Sequence, residues 1–367
     1  MADMIGHTLS MPPQAVEAHE LERGSPHGPP GLRGQELASL VRDLHAQDAR
    51  RGWAKLFGFT AIILVLFALT MAQSNIFLVA LLGVVLGFFY ASFMMLTHDA
   101  IHHTLTGHRI ADEILPRLMS WPLLWPHATY AALHKLHHSM NGRDEQDPER
   151  CHMTIEEYEQ AHAVAKLVAR HQLLYRVFVS GGVGMIVHMV RQARIFGVKS
   201  KHIRRALWID FFGILGTAAV LYGTAAYFGM AGKLFLVWVI LERTVGGVQQ
   251  FRSHLEHYGL WDNYPSFLEA QIYNTRNFRT NPLASFYFNG LNYHSVHHAF
   301  PSIPFYHLQE AHKRISDYCE RKGVPLHEEP GYAHTALEII KEPRFVRTMQ
   351  SQMILSPNDG HTSPSSP

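Results

Sequence analysis

The chain has 367 residues, 47% of them hydrophobic and only 17% charged, against about 25% charged in an ordinary soluble protein, which excludes a disordered, highly solvated polymer. A formal net charge of +2 leaves no whole-chain electrostatic footprint for nucleic acid. Two cysteines, Cys151 and Cys319, cannot build a disulfide framework, a four-thiolate zinc site or an iron–sulfur cluster, whereas 27 histidines, roughly three times ordinary usage, point to metal held by imidazole.

In chain order, residues 1–50 are polar, broken by proline and glycine, and lack the apolar run of a secretory signal. They read as a cytosolic tail, flexible to about residue 33, with a polar helix over 35–51. Two apolar runs follow, about 55–72 and 76–97, linked by Gln73-Ser74-Asn75; this is the pattern of a transmembrane hairpin. Residues 114–125 and 173–190 are apolar but interrupted by Pro116 and Pro122, and by Arg176 and Gly181-Gly182. They are expected in the interface or against the bundle. A fifth span at 173–190 would put the histidines on opposite sides of the bilayer. The second hairpin is expected at 206–228 and 234–250, its returning arm carrying Glu242 and Arg243, which must face the bundle interior or an interface. Arg42, Arg50, Arg51 and Lys55 precede the first hairpin, and Arg191, Arg194, Lys199, Lys201, Arg204 and Arg205 precede the second, while the outer turns carry only Lys233. The positive-inside rule then puts both termini and the middle segment in the cytosol. The expected fold is all-α: an integral membrane four-span helical bundle with a cytosolic helical cap. Residues 51–318 form the catalytic domain, and 319–367 a C-terminal tail, disordered over 359–367.

Three histidine clusters occupy 98–103, 134–138 and 294–298. On a helix, His98 and His102 face the same way, and so do His134, His137 and His138, and His294, His297 and His298. By chance, roughly 0.15 copies of the HxxHH pattern are expected at this histidine frequency, and the chain has two, both at expected cytosolic ends of apolar segments. Eight or nine imidazoles exceed what one ion can take, so the count implies two metal ions. Ligand type alone leaves zinc, copper, iron and nickel open.

At these residues the sequence resembles the membrane fatty-acid desaturase/hydroxylase superfamily, whose three histidine boxes they match in order and spacing over roughly 56–315. The resemblance implies a non-haem di-iron centre, O₂ as co-substrate, and attack on an unactivated C–H bond of a lipid. It makes His98, His102, His134, His137, His138, His294, His297 and His298 the ligands. His257, in Glu256-His257-Tyr258-Gly259, is similar to the family's additional ligand, with His254 one turn earlier as the alternative. His103, Asp99, Asp147, Asn292 and His312 are candidates to orient or supplement the ligands. The run Asn292-Tyr293-His294 to Pro304 resembles the third-box signature of the acyl-lipid branch. No haem-binding motif or four-cysteine electron-carrier domain appears, so electrons are expected from a separate ferredoxin, rubredoxin or b-type cytochrome.

Nothing in the chain resembles a hydrolytic elbow, a P-loop or a dinucleotide fingerprint. No side chain is basic enough to take a proton from an alkyl chain, so an oxidising metal centre is required and redox-inert zinc is disfavoured. The expected activity is O₂-dependent desaturation of a fatty-acyl chain. A hydroxylase or oxygenase acting on a carotenoid, alkane or other hydrophobic molecule is the alternative on the same scaffold. A membrane metal transporter is a distant third, because transport would need ligands spread through the membrane depth.

Overall fold

The computed structural model describes residues 32, 34–264 and 266–348; the expectations for residues 1–31 and 359–367 lie outside the described residues. Within them the chain is a helical bundle with a helical cap. A short helix α1 (Gly34–Val41) precedes two long ones, α2 (Ala49–Ala72) and α3 (Ile76–Ile101). The polar helix expected over 35–51 is broken because the Asp48 side chain accepts from Arg50 N and caps α2. Asn75 caps α3 in the same manner, accepting from the backbone N–H of Phe77 and Leu78, so the three-residue link reverses the chain at little cost. The next elements are α4 (Arg109–Ser120), α5 (His127–Met140), α6 (Ile155–Gln160) and α7 (Ala163–Arg170). The broken helix α8 covers Gln172–Gly197 with a π-turn at Tyr175–Ser180, and α9 (Lys201–Tyr227) and α10 (Ala231–His257) form the second hairpin. The cap continues with α11 (Phe267–Tyr273), α12 (Pro282–Tyr287), α13 (His294–Ala299), α14 (Leu308–Arg321) and α15 (Tyr332–Lys341). Two-residue strands β1 (Asn277–Phe278) and β2 (Glu328–Glu329) pair in parallel, Asn277 opposite Glu328.

Four described helices are long and apolar enough to cross a membrane: α2, α3, α8 and α9. Their large apolar side chains point outward, among them Phe57, Leu64, Phe77, Leu81, Phe211, Phe212 and Val220; an uncovered apolar belt of this kind suits lipid, not water. The fourth expected span, 234–250, lies in α10, which is as long as α9 but carries Lys233, Glu242, Arg243, Arg252 and Glu256 and is less apolar for that reason. Contacts distinguish α8 from α10. The Lys233 ammonium donates to Met71 O (3.0 Å) and Gln73 O (2.7 Å), so the turns of the two hairpins meet at one end of the bundle. Leu173, at the start of α8, packs with Leu255 and Tyr258 at the other end. The helix then descends along α10 until Gly181 and Gly182 lie against Arg243, Glu242 and Gly246. It bends there, Gly181 taking φ +54, and comes back so that Met189 and Ala193 pack on Ala128 and Ala132 of α5. Both ends of α8 are therefore at the histidine-bearing end, and its tip reaches a depth of about 22 Å measured along α10 from His257 to Glu242.

The described residues of the two expected tail regions pack against the cap. Leu37, Val41 and Leu44 share a buried cluster with Ile272, Val296, Leu308 and Ile315. Tyr332, Ala336 and Ile339 of α15 pack with Leu255, Tyr258 and Phe278.

Candidate metal centre

Each histidine cluster sits on a different element, and packing brings all of them to one end of the bundle. The last three turns of α3, residues 90–101, are continuously buried and end in His98 and His102. α5, docked between α3's end and α8–α9, presents His134, His137 and His138 on one face. α13 supplies His294, His297 and His298, all buried, and the last residue of α10 is His257. Ring nitrogens of His98, His102, His134, His138 and His297 lie within 4.8 Å of one another, as do those of His137, His257 and His298. His294 joins the second group through Nε2, 2.8 Å from His257 Nε2. The two groups adjoin, since the His138 and His298 rings stack with centroids 4.3 Å apart. All nine imidazoles expected as ligands thus form two adjacent nests.

The partners of the outer nitrogens fix the tautomers. His134 donates from Nδ1 to Glu149 Oε1 (2.9 Å), and His137 donates from Nδ1 to both Asp147 oxygens (2.9 Å each). His298 donates from Nδ1 to Gln271 Oε1 (3.0 Å). Glu256 Oε2 stands 3.4 Å from His294 Nδ1. Because a carboxylate can only accept, Nδ1 carries a proton in His134 and His137, which leaves Nε2 as the atom that faces the nest and would take a metal. Two such nitrogens, His134 Nε2 and His138 Nε2, are 3.0 Å apart. Nε2 of His98, His102, His137, His297 and His298 has no hydrogen-bond partner although buried. Metal–imidazole bonds of about 2.1 Å would set two nitrogens about 3 Å apart at a right angle, so the residues present fit two ions. Burial together with the neighbouring imidazoles holds His138 and His298 well below the ordinary histidine value, hence neutral and able to ligate. His137 goes the other way: against its burial, the Asp147 and Glu149 carboxylates push it up to about 9, the raised basicity that a carboxylate-supported ligand shows.

The remaining expected residues are not brought to the nests, Asp147 excepted. His254 is fully buried but stacks on Tyr258, centroids 4.3 Å apart, and belongs to neither group. His103 sits at φ +58, its carbonyl accepting from Gln47. Asp99 accepts from Asn289 (2.8 Å), which in turn accepts from Lys55 (2.8 Å). Asn292 bonds Ser285 and Phe278 O, and His312 faces Tyr293 and Glu328. Conversely, Gln271 belongs to no motif, and Glu256 enters the sequence only as the residue before His257; helices α11 and α10 bring them to His298 and His294 only once packed. Glu149, a carboxylate available after the second cluster, turns out to hold His134.

A mostly apolar cavity opens onto the nests. Met94, Leu123, Met185, Ile186 and Val245 line its apolar length, His98, His134, His257 and His294 its inner end, and the Gly182 bend of α8 one wall.

A family model described as fatty acid desaturase matches residues 74–330, which takes in all three clusters and His257. Among similar proteins are an acyl-lipid (9-3)-desaturase of Physcomitrium patens, 21% identical over 67% of this chain and 49% of its own length. A fatty acid desaturase of Bacillus subtilis (strain 168) is 23% identical over 67% and 70%, and a Delta(9) fatty acid conjugase-like enzyme of Dimorphotheca sinuata 22% over 66% and 70%. The chain therefore spans about half the length of the first of these relatives. With two nests of inward-facing imidazoles at the head of an all-α membrane bundle and a family match across more than half its length, the chain belongs to the fatty acid desaturase family.

Proposed function

We propose that this protein is an O₂-dependent fatty-acyl desaturase that holds two iron ions with His98, His102, His134, His138 and His297 in one nest and His137, His257, His294 and His298 in the other. The observation that carries this reading is the apolar cavity running into the imidazole cluster, which suits a lipid chain. When bound, the iron pair supplies the oxidising power to take hydrogen from an unactivated carbon. The chain's own residues do the rest: the cavity wall orients the acyl chain and excludes water, and Glu149, Asp147 and Gln271 hold the ligating rings in register. The two electrons come from a separate ferredoxin, rubredoxin or b-type cytochrome. Ligands confined to one end of the bundle argue against a transport pathway. The basic residues before α9 support a cytosolic position for that end, as the positive-inside rule requires.

The test is anaerobic purification with metal analysis, then supply of electrons and O₂ to extracted lipids under mass spectrometry. Iron near two per chain and a loss of two mass units is the expected outcome. A gain of sixteen would assign a hydroxylase instead, and zinc or no metal would overturn the oxidative reading.

A further inference from the structure

Helix α5, which carries His134, His137 and His138, starts without a cap of its own. Its first three backbone N–H groups have no partner within the helix, as at any helix start, and Pro126 before them makes no side-chain cap. His127 N turns back to Trp125 O (3.0 Å). The other two are taken by a different element. Asp210 of α9 accepts from Ala128 N through Oδ1 (3.1 Å) and from Thr129 N through Oδ2 (2.7 Å). The same Oδ1 also accepts from Trp121 Nε1 (3.0 Å).

Asp210 is buried in a helix long and apolar enough to cross a membrane, where a carboxylate is expensive and calls for a function. The face of α9 around it is shaped to the start of α5. Ile203, Ala206, Asp210 and Gly213 follow one another at helical spacing. Ile203 and Ala206 pack with Ala128, Ala132 and Leu133 of α5. Gly213 receives the Trp121 ring, since an added Cβ there would come within 2.3 Å of it.

We propose that Asp210 is a positioning residue for the metal centre: from α9 it fixes where the helix of the second histidine cluster begins, and so where His134, His137 and His138 stand. The inference rests on the two-nest reading above. A carboxylate suits this place because the unpaired N–H groups and the helix dipole favour negative charge at a helix start. From Thr129 it is about 7.5 Å along α5 to His134 and about 13.5 Å to His138, so a displacement of the helix start is passed to all three rings. Because His134 and His138 belong to one nest and His137 to the other, one carboxylate serves both.

The experiment uses the full chain in lipid nanodiscs, stripped of metal and titrated with Co²⁺ alone, whose visible bands follow ligand geometry. Asp210→Ala should weaken Co²⁺ binding about 3- to 30-fold and shift those bands. Adding Pro126→Asp supplies an acceptor from the helix's own N-cap position, and the double variant should regain the original spectrum and an affinity within about threefold of the unmodified chain. Unchanged affinity and spectrum in Asp210→Ala, even with a lowered melting temperature, overturn the proposal, since Asp210 would then serve stability alone. A double variant no better than Asp210→Ala overturns it as well, because the carboxylate would not act through the helix start. Should Asp210→Ala fail to fold, Asp210→Asn, which keeps the shape and one acceptor oxygen, is judged by the same outcomes. If the unmodified chain takes up no Co²⁺, the two-nest reading falls by itself. Amide hydrogen exchange at Ala128 and Thr129 then decides the cap: faster exchange in Asp210→Ala supports it, and equal exchange overturns it.

Discussion

His137 and His254 show what separates a ligand from a buried histidine. Both lie on a helix close to another histidine, but only His137 has a carboxylate behind it and an unpaired nitrogen among four other imidazole rings. Replacing Asp147 with Asn removes the charge that raises the basicity of His137, and metal retention against a chelator should fall about 10- to 100-fold. His254→Phe keeps the stack on Tyr258 and should leave iron content unchanged, whereas His257→Ala should lose metal; metal analysis of the two variants decides which is the ninth ligand. The metal-free chain should also be acid-sensitive. His138, His294, His297 and His298 are held below their unfolded value by burial and by neighbouring imidazoles, so the unfolded chain binds protons that the folded chain refuses. Stability from these four is present above about pH 6.5 and is lost as the pH falls through that range. His137, raised to about 9, contributes in the opposite direction and over a higher window, losing its share as the pH rises through 9. The net expectation is a lower melting temperature of the chelated protein at pH 5 than at pH 7.5. The histidine positions were legible in the sequence because they repeat at helical spacing. Gln271 was not, since a single glutamine on an amphipathic stretch looks like any other until α11 packs against α13.

Among the elements, α8 is the one whose role depends most on its neighbours. By length and composition it qualifies to cross a membrane, yet Leu173 and Met189 both pack at the histidine-bearing end. The bend that returns it requires Gly181 at positive φ and a close approach at Gly246, where an added Cβ would come within 1.9 Å of Gly182 N. The backbone on both sides is fixed, so Gly246→Ala should cost about 1–3 kcal/mol, and it should push the α8 tip out of the cavity wall. Thermal unfolding in detergent reads the first effect and a loosened chain-length preference the second. The interruption by Arg176 and Gly181-Gly182 already marked this stretch as an unconventional helix. Its partners could not be read, because the glycines that permit close packing name no neighbour.

For the whole molecule, two hairpins tied at their turns by Lys233 leave all nine nest histidines at the other end. Single cysteines introduced in a Cys151→Ser, Cys319→Ser background at Ala165 and Lys199, one before α8 and one after it, should label from the same side of the membrane. Cysteines at Ser74 and Gly232 should label from the opposite side; opposite labelling of the α8 pair would instead make that helix a full span. The sequence by itself determined the apolar hairpins, the three imidazole clusters and through them the family, because bilayer thickness and helical periodicity act on residues close together in the chain. Only the tertiary structure decided that the nine rings divide into two nests, that His254 is not among them, and that Glu149 and Gln271 hold His134 and His298 while Glu256 stands beside His294. It also packs helices α1 and α15 into the cap. These depend on contacts between residues tens to hundreds of positions apart, which are set by how the helices pack and which no local pattern encodes.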